Sequence, residues 1–323
     1  MIRQHGKLTF LSFLLVVLCG NTFAQKIPVI PLDLDSLITV GYATGSLKTL
    51  SGSVEKITEK QMNKDQVTNP LEAIRGRVPG LTIQRGTNGL AALDAVRLRG
   101  TTSLTSGNDP LIIVDGVFGD LSMLTSIYPT DIESFTILKD ASETAQYGSR
   151  GASGVIEVTT KKGMQGRTQV AYNGSFGIST VYKNLKMLSG DEFRSVASER
   201  GISILDKGNN TNFQKEIQQT GLQQNHHVAF YGGSSTSSYR VSLGFMDRQG
   251  VILNEDMKNF TSNMNMNQKM FDGFFDCELG MFGSILKNHN LVDYQKTFYS
   301  AATFNPTYPN HKDPVTNLSL IHI

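Results

Sequence analysis

The chain has 323 residues, a formal net charge of +2 and 18% charged residues. No block of one sign stands out, which leaves no footing for a nucleic-acid partner. With 31 glycines, two cysteines and no tryptophan, it fits a turn-rich β protein and not a disulfide-knit scaffold.

Residues 1–24 read as a secretory signal peptide. Arg3, His5 and Lys7 form a basic start, and Leu8 to Leu18 is an apolar core too short to span a membrane. Thr22-Phe23-Ala24 places cleavage before Gln25. Removal takes Cys19 with it, so Cys277 stands alone and supports neither an internal disulfide nor a metal cluster. No later apolar run approaches the ~20 residues of a membrane helix, so any membrane role falls to β-strands.

Residues 25–45 read as a linker, Pro-containing at first. It leads into Leu37-Ile38-Thr39-Val40-Gly41-Tyr42, a β-prone uncharged run. An extended segment of this kind can add to the edge of a partner's sheet. Taken by itself it reads rather as the first strand of the domain that follows. Ser46 to Lys56 continues as a polar-rimmed strand, and Ile57 to Met62 suits a short helix.

Residues 46–163 form a small α+β domain. Asn69 is placed to cap a helix over Pro70 to Arg77, with Pro70 at its first position and Gly76 and Gly80 as stops. The short β-branched runs Gly80 to Ile83, Leu111 to Val114, Phe135 to Leu138 and Val155 to Val158 are strand signals. Asp115-Gly116 marks a tight turn.

From residue 164 the period becomes two. Val170, Tyr172, Phe176 and Ile178 share one parity, and Gln169, Asn173 and Ser175 the other. The pattern recurs as Val228 and Phe230 against His227, and as Tyr239, Val241, Leu243 and Phe245 against Arg240 and Ser242. Then come Phe260, Met264, Met266 and Met270 against Thr261, Asn263, Asn265, Asn267 and Lys269. Last, Phe275, Cys277, Leu279, Met281 and Ile285 oppose Asp276 and Glu278. Such alternation marks transmembrane β-strands or a soluble β-sandwich, which differ in the face that meets solvent. Residues 232–238 and 271–273 read as short turns. Residues 182–225 and 247–259 read as longer loops, the first holding a helix over Ser189 to Ala197 capped by Ser189 or Asp191.

No catalytic constellation appears. His226 and His227, adjacent on a strand, point to opposite faces and cannot share one metal ion. Gly148 to Gly154 lacks the Gly-Lys-Ser/Thr ending of a phosphate loop and precedes a strand. Asp115-Gly116 lacks the further ligands of a calcium loop.

The series Gly76-Arg77-Val78-Pro79-Gly80, Arg97-Leu98-Arg99-Gly100, Asp109-Pro110-Leu111-Ile112-Ile113-Val114-Asp115-Gly116, Leu138-Lys139-Asp140-Ala141-Ser142 and Tyr147-Gly148-Ser149-Arg150-Gly151 through Lys161-Lys162-Gly163 strongly resembles the plug of SusC/RagA-type TonB-dependent outer-membrane transporters. Glu143, Thr144, Gln146 and Glu157 are mild departures. The resemblance implies a plug domain over 46–163 followed by antiparallel transmembrane β-barrel strands over 164–317. That is about five strands of a barrel that has ~22, hence an N-terminal piece. Residues 318–323, Leu318-Ser319-Leu320-Ile321-His322-Ile323, match a translated transposon end used in sequencing-library preparation and read as a non-native tail.

The resemblance also implies that Leu37, Ile38, Thr39, Val40, Gly41 and Tyr42 form the TonB box. Arg75, Arg77, Arg97, Arg99 and Arg150 are candidates for polar contacts between plug and barrel wall, or plain solubilising charge. The implied partners are the inner-membrane TonB complex, a SusD-like surface lipoprotein, a glycan or peptide substrate and outer-membrane lipid; no cofactor and no nucleic acid are implied. The expected activity is import of a large nutrient. The alternatives are a non-transporting receptor or adhesin on the same scaffold and, without supporting residues, a secreted β-rich enzyme.

Overall fold

In a computed structural model, the structure describes residues 37–40, 43–46, 53–63, 67, 69–85, 90, 93–104, 107–290 and 293–310. The expected signal peptide, residues 25–36, Gly41, Tyr42 and the 318–323 tail lie outside the described residues.

β1 (Leu37–Val40) and β2 (Ala43–Ser46) form a two-stranded antiparallel sheet of their own. The plug follows. Its sheet joins β3 (Val54–Thr58), β6 (Leu111–Val114), β7 (Val117–Gly119), β8 (Ile132–Leu138) and β9 (Val155–Thr160) in the order β3-β8-β9-β6-β7. Only the β6–β9 pair within it is parallel. One face of this sheet, with Ile57, Phe135, Ile137, Ile156, Val158, Ile112 and Val114, packs into the main core. Leu71 and Ile74, and the hairpin of β4 (Leu81–Arg85) and β5 (Leu93–Leu98), close that core from the other side.

Two local expectations change form. The segment after Asn69 is a 3-10 turn, Pro70–Ile74, and not a helix to Arg77. Asn69 caps it as expected, its side chain accepting from Leu71 N, but Gly76 at φ +72° turns the chain away. Ile57 to Met62 is not a helix. Ile57 is buried in β3 opposite Phe135, and a turn held by Thr58 N donating to Gln61 Oε1 (2.9 Å) follows. Burial in the core overrides the local helix signal. Asp115 and Gly116 form the expected two-residue turn, both at positive φ. The Asp115 carboxylate also accepts from Thr160 N (2.9 Å) and Oγ1 (2.6 Å).

The second sheet is a meander of five long strands, β10 (Gly166–Ser179), β11 (Gly221–Gly233), β12 (Ser237–Gln249), β13 (Asp256–Met270) and β14 (Phe275–His289), each antiparallel to the next. The loop expected over 247–259 is a tight connection, residues 250–255. The apolar pattern ends at Phe245, but the backbone ladder runs on through Asp247↔Lys258, an ion pair at 3.5 Å. The long connection after β10 holds α2 (Gly190–Glu199), with the Ser189–Glu192 capping box, and α3 (Phe213–Glu216). (α1, Ala141–Thr144, lies in the plug.) At the same end of the sheet, α4 (Tyr294–Thr303) follows β14; Phe213 and Ile217 pack there against Ala301, Phe298 and Phe304.

Candidate functional site: the contact between plug and strand wall

The five-stranded sheet has its polar side buried and its apolar side open. Gln223, Asn225, His227, Arg240, Ser242, Asn259, Thr261, Asn263 and Asn265 are buried, and their common face meets the plug. On the opposite face Val170, Tyr172, Phe176, Ile178, Phe230, Leu243, Phe260, Met281 and Ile285 are exposed. In a soluble sandwich the two sides would be exchanged. On β14 the apolar face runs from Phe275 to Ile285. At ~3.3 Å per residue and a tilt of ~40°, that is a band about 25 Å tall, the height of the lipid-facing belt of an outer-membrane barrel.

The plug meets this wall mainly through residues 125–131 and 160–162. Asp131, 2% exposed, stands at the centre. Its position is fixed by the backbone: Asp131 N donates to Tyr128 O (2.9 Å) and Lys161 N donates to Asp131 O (2.7 Å). Arg240 Nη2 donates to Oδ1 (2.8 Å) and Ser242 Oγ donates to Oδ2 (2.6 Å). His227 Nε2 lies 3.0 Å from Oδ1, off the line of a good hydrogen bond. Burial pushes the Asp131 carboxyl up, but His227, Ser242 and Arg240 together outweigh it and hold the group below the ordinary carboxylate value. The Tyr128 ring stacks on the His227 ring, centroids 4.7 Å apart, and packs against Met246 and Met257. Burial, then the Asp131 charge, pushes the Tyr128 phenol up to about 12.

Smaller contacts flank this centre. Asn259 Nδ2 donates to Thr125 O (3.0 Å), Asn265 Nδ2 to Thr160 Oγ1 (3.3 Å), and the Ser126 and Ser284 hydroxyls are 3.1 Å apart. Lys162 pairs with Glu278 of β14. Gly244 lies directly under Tyr128, where an added Cβ would run into the ring.

Toward the five described wall strands, none of the arginines proposed for plug-to-wall contact supplies an ion pair. Arg97 pairs with Asp109 and Arg99 with Asp140, both within the plug. Arg77 Nε donates to Asn63 Oδ1 (2.9 Å), again in the plug, while Arg75 and Arg150 are exposed. Of these, Arg97 and Arg99 have their charge met by plug carboxylates. Among the described residues the ionic contacts to the wall come from Asp131 and Lys162 instead. Strand parity had put Arg240 and His227 on the inward face, and a charge on a face meant for burial was the available signal that a partner awaited it. Of the residues expected to form the TonB box, Leu37–Val40 is β1; Gly41 and Tyr42 lie outside the described residues. His226 and His227 point to opposite faces: His226 Nδ1 lies 2.7 Å from the exposed Tyr172 hydroxyl.

A mixed plug sheet held on the polar face of a lipid-facing antiparallel wall defines a plugged outer-membrane β-barrel. Comparison with known proteins agrees. Residues 46–155 match the family described as TonB-dependent Receptor Plug Domain. The chain is 35% identical over 296 residues to the TonB-dependent receptor SusC of Bacteroides thetaiotaomicron, covering 87% of this chain and 29% of that protein. It is 34% identical over 266 residues to TonB-dependent receptor P3 of Formosa agariphila, covering 82% and 26%. The RagAB peptide importer in its open-open state matches with a TM-score of 0.73 and 26% identity, over 80% of this chain and 33% of that chain. This chain belongs to the SusC/RagA-type TonB-dependent receptors, a family of outer-membrane proteins. It spans under a third of the length of these curated relatives.

Proposed function

We propose that the whole protein imports a large nutrient, an oligosaccharide or a peptide, across the outer membrane. Export begins with the signal peptide of residues 1–24, a TonB complex supplies the energy, and a SusD-like lipoprotein serves as the outer partner. The observation that carries the reading is the inverted polarity of the strand wall around a docked plug. A plug fills a lumen only where passage is to be controlled.

Leu37–Val40 supports the energy coupling. β1 has β2 as its one strand neighbour among the described residues, in the register Ile38↔Gly45. Its other edge offers backbone donors and acceptors to an added strand. The packed cap of α2, α3 and α4, at the sheet end away from the plug-to-wall junction at Gly163, supports an outer partner surface.

The test is Ile38→Pro in the whole protein. Proline removes a ladder donor, so uptake falls to background while binding of the nutrient is kept. Unchanged uptake would sink the box assignment. Deleting residues 37–42 separates import from a receptor or adhesin, which would be indifferent to the deletion.

A further inference from the structure

A cavity of about 340 Å³ lies between plug and wall, beside the Asp131 contact. That is the lower end of the ~300–1,000 Å³ range of small-molecule sites. Its wall side is Asn173, Ser175 and Asn225, and its plug side includes Met62 and Thr130. Asn225 is 6% exposed; its Nδ2 donates to Ser175 Oγ (3.2 Å), but its Oδ1 is buried without a hydrogen-bond partner. The Thr130 hydroxyl is likewise buried and unpartnered. A buried polar atom left unpaired is costly, so both atoms favour an occupant that both donates and accepts. The one ionisable acid in the lining, Glu59, is already paired with Lys161 at 2.7 Å. Met62 and Met246 add apolar surface.

We propose that this cavity is an inner binding site for a neutral, hydroxyl-rich ligand of one or two sugar units. Free amide and hydroxyl groups serve the ligand's hydroxyls, and the methionines serve its C–H faces. A peptide's charged termini would enter a lining with no free counter-charge. The proposal rests on the import reading and narrows its substrate class to glycans. It also places the ligand against Thr130, next to the Asp131 contact that holds the plug.

The experiment is methyl NMR of the whole protein in detergent, with methionine methyls labelled. Met62 and Met246 resonances are assigned by Met→Leu substitution. The probes are neutral tri- and tetrasaccharides of glucan, mannan, fructan and xylan type, and tetrapeptides of either charge. At least one saccharide is expected to shift both methyls saturably, and Asn225→Leu to weaken that binding about tenfold. Two results overturn the site: no saccharide shifts these methyls, or a charged peptide does so while the saccharides do not. Uptake assays run in parallel keep the two readings apart. Uptake without these shifts removes the inner site and leaves import standing, whereas shifts without uptake remove import.

Discussion

The Asp131 contact should dominate the retention of the plug. Asp131→Ala leaves the Arg240 guanidinium, whose side chain is 8% exposed, buried without its counter-charge. Breaking a buried pair from one side costs about 3–5 kcal/mol. Arg240→Met in the same chain removes the stranded charge and should restore most of that loss. The readout is amide hydrogen exchange over β8, whose first residue follows Asp131 directly. A loss of about 3 kcal/mol in local opening raises exchange roughly hundredfold. pH supplies a second check. Asp131's folded value lies below the ordinary 3.8. Its contribution is therefore full above that value and is lost as the pH falls through the lowered one. The plug should stay docked through mild acid and loosen only below the usual carboxylate range. If Asp131→Ala leaves β8 exchange unchanged, or Arg240→Met gives no recovery, the contact does not hold the plug.

Three further outcomes follow from the same geometry. Gly244→Val drives a branched side chain into the Tyr128 ring and should weaken docking by about 1–3 kcal/mol, read as increased protease access to the plug; unaltered access would mean that the ring swings aside. Glu157 sits half-buried on the plug sheet with Oε2 unpartnered, and burial pushes its carboxyl above the ordinary 4.5, against the opposing effect of Lys56. A raised acid costs stability as it ionises, so Glu157→Gln should stabilise the plug by about 1 kcal/mol at neutral pH, with no gain below pH 4.5; thermal unfolding at the two pH values decides. Lys162→Ala removes a half-exposed pair with Glu278 and should cost under about 1 kcal/mol, so an effect as large as that of Asp131→Ala would contradict the ranking of these contacts.

Much of this was legible in the sequence because a barrel wall writes its two faces onto alternate residues. The parity of Val170, Tyr172, Phe176 and Ile178, and of Arg240 against Val241 and Leu243, survives into the structure unchanged. Strand ends were less legible. Asp247 and Lys258 carry the ladder past the apolar band, and hydropathy ends at the band while hydrogen bonding does not. The plug contacts were least legible. Asp131 and Arg240 are 109 positions apart, and no local signal ties an acid in a connecting turn to a base on a distant strand. The partners of the arginines were equally hidden: a plug arginine in sequence looks the same whether its acid is Asp109 nearby or a carboxylate on the wall.

The composition of the interface bears on how the plug could be both held and released. The wall presents amides, hydroxyls, the His227 imidazole, the Arg240 guanidinium and the Glu278 carboxylate to the plug, and the apolar contact there centres on Tyr128, Met246 and Met257. Hydrophobic area binds without direction and yields gradually, in proportion to the area separated. Charge-assisted hydrogen bonds hold at one geometry and lose most of their strength once the donors move out of line. Retention against these five strands, resting on few directional contacts, is therefore firm at rest and is largely lost after a small displacement at Asp131. An apolar interface of equal strength would resist a pull over its whole length. Asn225 Oδ1 and Asn263 Nδ2, buried without hydrogen-bond partners, point the same way. They cost the closed state some stability, and that cost lowers the work of opening it.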